Sequence, residues 1–181
     1  MRIDHVIYGT SDLDAGAARF QSAGLTVVPG GAHEGIGTHN RLVPLEGSYI
    51  EILAVLDPAM AAASPIERLI AERIARGDGW IGWAVAVPDA PAVAARLGVS
   101  LVEVRREGSA SLAGLTEALT EPFLPFFIER EDTTGPGAVE RIELSGDARR
   151  LAAWLDGAEL PVDVRAGEPA LRAVTVGGRR L

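Results

Sequence analysis

Cysteine is absent from all 181 residues, which excludes disulfide bonds, thiolate metal centres and cysteine nucleophiles. Aromatic residues are scarce, at 5%, and too scattered for a stacking platform that would hold single-stranded nucleic acid. Positive charge is in deficit: 17 basic residues stand against 25 acidic ones, a formal net charge of −8. Such a chain repels phosphate backbones, so nucleic acid is not an expected partner. No apolar run approaches the ~20 residues that cross a bilayer, so no membrane partner is expected either. The opening Met1-Arg2-Ile3-Asp4-His5 shows no basic stretch followed by an apolar region, and with the missing cysteines this points to a cytoplasmic protein. No Gly-x-Gly-x-x-Gly follows a strand, no phosphate loop ends in Gly-Lys-Ser or Gly-Lys-Thr, and no Gly-x-Ser-x-Gly elbow occurs.

What is present is a hydrophobic content of 48%, the level of an ordinary folded domain. The chain also repeats itself weakly. Ile3-Asp4-His5-Val6 lies on Ile81-Gly82-Trp83-Ala84 at an offset of 81 − 3 = 78, and Tyr49-Ile50-Glu51 lies on Phe127-Ile128-Glu129 at 129 − 51 = 78. Each unit opens with an apolar strand and enters an Ala-rich helix, the first at Ser11-Asp12-Leu13-Asp14 and the second at Pro88-Asp89-Ala90-Pro91. Ser11 with Asp14 reads as a variant capping box, and Ser64-Pro65-Ile66-Glu67 as a full one. Gly24, Gly77, Gly98 and Gly157 stand where helices should stop. A partial third copy runs from Val139 to Leu144, then from Asp147 into Leu151, Trp154 and Leu155.

These signals predict an α+β fold of repeated βαβββ units, with outer helices on cupped mixed sheets. The first unit covers 1–62, a connecting helix 63–79, the second unit 80–134, and a partial βαββ unit 135–181, all in one compact domain. Ser111 to Leu119 is ambiguous and is read as strand because the repeat needs one there. The Gly-rich stretch from Pro29 to Asn40 is read as a loop, either functional or merely connecting.

Three residues stand out chemically. His5 lies on the first strand, with Ile3 and Ile7 on its face by period-2 alternation. Glu51 shares a face with Tyr49 and Leu53, and Glu129 with Phe127. A carboxylate in the middle of an apolar strand is costly to bury without a partner, and here one occurs twice at matching repeat positions. Histidine and carboxylate ligands in a concave site suit one divalent ion such as Zn, Ni, Fe or Mn. The alternative is that both glutamates pair with Arg41, Arg105, Arg130 or Arg141, or face solvent. His39 and Asn40, after the Gly-rich stretch, can coordinate, donate to a substrate or move protons.

Ile3-Asp4-His5-Val6 followed by Asp12-Leu13-Asp14 resembles the opening of the vicinal-oxygen-chelate superfamily. Gly37-Thr38-His39-Asn40 with Tyr49-Ile50-Glu51-Ile52-Leu53-Ala54-Val55, and Leu124-Pro125-Phe126-Phe127-Ile128-Glu129, resemble its glyoxalase-like branch. The resemblance implies paired βαβββ units around a small-molecule site, with metal ligands on the first and last strands of each unit. Carried over by position, it assigns His5, Glu51 and Glu129 to the metal and places Trp83 at the fourth position, where it cannot coordinate.

Three functional readings follow. In the first, a lyase, isomerase or dioxygenase uses the ion on vicinal oxygens, with Glu51, Glu129 or His39 moving the proton. In the second, a metal-free binding or resistance module lines its pocket with Trp83, Tyr49 and Phe127, and Arg41 or Asn40 fixes ligand polarity. The third is a structural module that only pairs with itself; a homodimer through exposed sheet edges is expected.

Overall fold

The computed structural model describes residues 1–33, 35, 37–106, 108–130 and 138–181, with the backbone alone at 105, 106, 108 and 109. Glu34 and Ile36 of the Gly-rich stretch, the Arg105 side chain, and the boundary between 134 and 135 lie outside the described residues. The first unit contains β1 (Arg2–Gly9), α1 (Leu13–Ser22), β2 (Val28–His33), β3 (Thr38–Leu45) and β4 (Ser48–Val55). Two helices follow, α2 (Pro58–Ala61) and α3 (Pro65–Ala75). The second unit contains β5 (Gly79–Ala86), α4 (Ala90–Leu97), β6 (Leu101–Arg106), β7 (Gly108–Ala113), α5 (Leu115–Thr120) and β8 (Phe126–Arg130). The chain ends in β9 (Val139–Ser145), α6 (Ala148–Trp154), β10 (Val162–Arg165), β11 (Ala170–Val176) and β12 (Arg179–Arg180).

The first eight strands form one curled sheet in the order β2-β3-β4-β1-β5-β8-β7-β6. Within each unit the first strand runs parallel to the last, β1 beside β4 and β5 beside β8, while β1 and β5 join the units antiparallel. The C-terminal strands form a separate sheet, β10-β9-β11-β12. There β9 pairs in parallel with β10, the strand directly after the helix, so the third segment does not copy the strand order of the first two.

Each face of the large sheet carries its own core. The outer core joins Val6, Tyr8, Trp83, Val85 and Phe127 to α1 through Phe20, to α4 through Val93, and to the small sheet through Ile142 and Val174. The inner core is smaller and joins Ile7, Leu53, Ala84, Phe126 and Ile128 to Ile74 of α3 and Ala118 of α5. Those two helices therefore plug part of the concave side.

Local chemistry accounts for most boundaries. Asp89 caps α4 and Asp147 caps α6, each accepting first-turn backbone N–H groups. Ser64 caps α3 by accepting the Glu67 N–H, with Pro65 in the first turn. The α1 cap is Asp12 and not Ser11; Ser11 instead donates to the Asp78 carboxylate. The Gly-rich stretch is an antiparallel ladder for much of its length, with β2 against β3, and not the loop its glycines suggested. Ser111 to Leu119 divides: β7 ends at Ala113, Gly114 turns in the left-handed region, and α5 begins at Leu115. The repeat had called for strand throughout, but Gly114 breaks it.

Candidate site on the concave face

A bulge in β1 sets up the site. Ile3 pairs with Val85 and His5 with Ala84, so Asp4 is an extra residue opposite no partner on β5. The bulge sends Ile3 into the outer core while His5 lines the concave side with Tyr49, contrary to simple alternation. The His5 ring stacks on Tyr49 at 4.6 Å and meets the edge of Phe126 at 5.5 Å. Ala84, between β1 and β8, is small enough to let His5 and Phe126 touch across it.

Asp4 is fully buried and its carboxylate is shared. Oδ1 lies 2.6 Å from His5 Nδ1, and Oδ2 accepts from Arg130 Nη2 at 2.9 Å. Burial pushes the Asp4 carboxyl up, but the His5 hydrogen bond and the charges of His5, Arg130 and Arg2 outweigh it and hold it below the usual carboxylate value. An ionised Asp4 only accepts, so it fixes the proton on His5 Nδ1 and turns Nε2 away from itself. Arg130 also lies over the Tyr49 ring at 5.3 Å and reaches its hydroxyl at 3.4 Å. Burial, and then the charge of Glu51, push the Tyr49 phenol well above its ordinary range despite Arg130.

Glu51 sits on β4 beside Ile7, two residues beyond Tyr49 and on the same face. Its side chain is 12% exposed. Asn40 Nδ2 donates to Oε1 at 2.6 Å, and His33 Nε2 stands 3.7 Å from the same oxygen. The Asn40 amide is held in turn, because Oδ1 accepts the Gly31 N–H at 3.0 Å. His33 Nδ1 lies 2.8 Å from Thr38 Oγ1. The carboxylate is thus oriented by a short relay from the β2 backbone. Gly30 makes that relay possible, since a Cβ there would lie 2.0 Å from Asn40 Oδ1. We expect Gly30→Ala to displace Asn40 and impair every property that depends on Glu51 orientation. The check is a ligand titration on a variant whose melting temperature stays within a few degrees of wild type.

Other sequence-selected residues lie elsewhere. Glu129 falls between Ile128 and Arg130 on β8, so it projects to the outer face, where Oε2 accepts the Ala90 N–H at the start of α4 at 2.8 Å. A one-residue slip in a strand changes the face, and the common offset of 78 introduced that slip. Glu129→Ala should cost about 1 kcal/mol, the usual worth of a helix-capping contact, measured by denaturant unfolding. Trp83 pairs with Val6, is fully buried in the outer core and donates Nε1–H to the Phe123 carbonyl at 3.3 Å. Phe127 is equally buried there, 6.2 Å from the Trp154 ring. Arg41 pairs with Asp14 of α1. By strand alternation His39 shares that outward side with Arg41 and Val43.

His5 and Glu51 are the two members of the expected metal set on the concave face. Among the described residues no three His, Asp or Glu side chains are grouped to hold one ion, so the three-ligand centre does not fit. Asp4 and His33 were not assigned to the site from the sequence, and Arg130 entered only as one of four arginines that could pair with the glutamates. Asp4 carried a usable signal, an acid inside an apolar strand beside a histidine.

The glyoxalase-like domain family model matches residues 3–157, and no curated sequence relative matches the chain. Among solved structures, a hypothetical protein from Staphylococcus aureus is 17% identical with a TM-score of 0.68, over 94% of this chain and 87% of that one. Methylmalonyl-CoA epimerase from Mycobacterium tuberculosis is 23% identical with a TM-score of 0.53, over 74% and 89%. A single-substitution variant of Streptomyces coelicolor methylmalonyl-CoA epimerase in complex with 2-nitronate-propionyl-CoA is 21% identical with a TM-score of 0.56, over 75% and 99%. At these identities the likeness is one of fold. With the family match over residues 3–157 and two βαβββ units joined through β1 and β5, this chain belongs to the glyoxalase-like domain family.

Proposed function

We propose that the concave face binds an anionic small molecule and moves a proton at a carbon next to its carbonyl group, the chemistry of an isomerase. The observation that carries this is the placement of two pre-oriented groups on one side of the sheet, Glu51 held by Asn40 and His5 held by Asp4. Each has its orienting partner behind it, as general acid–base catalysis requires. Glu51 takes the carbon-bound proton, and the electron pair moves onto the carbonyl oxygen. His5 delivers or receives the proton on the other side, and Arg130, 30% exposed, supplies positive charge for the ligand's anionic group.

The solved relatives named for methylmalonyl-CoA make that thioester the first ligand to try. In D2O, the wild-type protein should speed loss of the methylmalonyl-CoA C2 proton signal at least 100-fold over buffer. Saturable binding without exchange would overturn the reading in favour of the binding module considered from the sequence. Neither binding nor exchange would overturn the ligand class.

A further inference from the structure

Proton transfer on the concave face creates a charge that Glu51, His5 and Arg130 do not meet. When a proton leaves carbon, the electron pair moves onto the neighbouring carbonyl oxygen, and that oxygen needs a hydrogen-bond donor. Glu51 is the base, His5 serves the opposite side of the carbon, and Arg130 faces the ligand's own anionic group. We propose that the Tyr49 hydroxyl donates to the developing enolate oxygen, a catalytic role that rests on the proton-transfer reading.

Tyr49 is placed for this. In the sheet order β4-β1-β5-β8, two strands separate Tyr49 on β4 from Arg130 on β8. The two side chains still meet, with Arg130 Nη1 3.4 Å from the phenol oxygen and the guanidinium 5.3 Å from the ring centre. They therefore lean toward each other over β1 and β5, where the two units join. The phenol is held flat on the His5 ring, at 4.6 Å and 12°. Glu51 follows two residues later on the same strand, so base and hydroxyl share one face.

The hydroxyl also has a proton to offer. A guanidinium only donates, so Arg130 occupies a lone pair of the phenol oxygen and leaves the O–H to another acceptor. Among the described residues the Tyr49 hydroxyl donates to none. The Asp4 oxygens serve His5 and Arg130, and Glu51 Oε1 serves Asn40. A hydroxyl that accepts from a cation is polarised toward stronger donation. Hydrogen bonds to charged acceptors are the stronger ones, so the contact favours the enolate over the ground-state carbonyl. Nothing becomes bonded to Tyr49. Glu51 takes the carbon-bound proton, the C–H pair becomes the C=C bond, and the C=O π pair moves to oxygen. A proton returned to the carbon restores the carbonyl.

Tyr49→Phe tests this in the full chain, because it keeps the ring on His5 and under Arg130 and removes the hydroxyl. Exchange of the methylmalonyl-CoA C2 proton in D2O should fall about 100-fold, the usual loss for one oxyanion donor, with KM within about twofold. The nitronate of 2-nitropropionyl-CoA, a planar anion resembling the deprotonated substrate, should bind the variant about 100-fold more weakly, while methylmalonyl-CoA affinity holds. The chain has two tyrosines, so 3-fluorotyrosine labelling gives two fluorine NMR signals, and the one lost in Tyr49→Phe is the reporter. The nitronate should shift it and leave Tyr8, in the outer core, unmoved. Wild-type exchange and nitronate affinity in Tyr49→Phe would overturn the role of the hydroxyl and leave the proton-transfer reading intact. Equal losses of substrate and nitronate binding would overturn it too, making Tyr49 a general binding group. A Tyr49 signal that the nitronate leaves unmoved would do so whatever the stability of the variant. No C2 exchange by the wild-type protein would overturn the reading itself, and this role with it.

Discussion

Asp4→Ala lowers the melting temperature at pH 7 by roughly 6–12 °C. The estimate rests on about 3 kcal/mol for removing one partner of a buried charged pair, and on about 2–4 °C per kcal/mol for a domain of this size. Asp4 is fully buried and bridges His5 and Arg130, so its loss takes the shared carboxylate from the Arg130 guanidinium and frees the His5 ring. The pH dependence has a defined sign. The folded-state pKa of Asp4 is lowered, so its contribution is fully present above the unfolded carboxylate value near 3.9 and is lost as pH falls through the folded value. The wild-type and Asp4→Ala melting curves should therefore separate at pH 5–7 and draw together in acid.

Glu51→Gln is expected to slow exchange of the methylmalonyl-CoA C2 proton by about 100- to 10,000-fold, the range for removing a positioned general base. Glutamine keeps the shape and can still accept from Asn40 Nδ2, so the variant should fold and bind the thioester close to wild type. The loss should therefore appear in the catalytic constant and not in KM. A change confined to KM would make Glu51 a binding group. His5→Ala should slow exchange too. It also removes the stack on Tyr49, so its melting temperature must be measured alongside.

Much of the architecture was legible because the two βαβββ units repeat their own signals: apolar first strands, capped Ala-rich helices, and apolar last strands that each carry an acid. The failures have one physical root. A strand alternates faces with every residue, so sequence alignment must hold to the residue before it can say what faces a cavity. The Asp4 bulge puts His5 opposite Ala84, while the 78-residue offset pointed to Trp83, which lies on the outer face. The same slip credited Glu129 with a place that β8 gives to Ile128 and Arg130. Glu51 and Tyr49 were placed correctly because β4 and β1 run in unbroken register from His5–Tyr49 to Gly9–Leu53. Asn40, expected to contact a ligand, holds the Glu51 carboxylate instead. His33, read as a loop residue, is a buried member of β2, and no local motif marks that role. The small C-terminal sheet was foreseen as strands and a helix, but its pairing depends on contacts with the outer face that no repeat encodes.

The most direct measurement compares Glu51→Gln and Glu129→Gln in the same deuterium-exchange assay, at matched folded concentration. The two glutamates occupy matching places in the sequence repeat yet face opposite sides of the sheet. With the chemistry on the concave face, Glu129→Gln exchanges the C2 proton within about twofold of wild type, and Glu51→Gln falls at least 100-fold below it. Equal losses in the two variants, both still folded, would contradict that placement, as would a Glu51→Gln protein that exchanges at the wild-type rate.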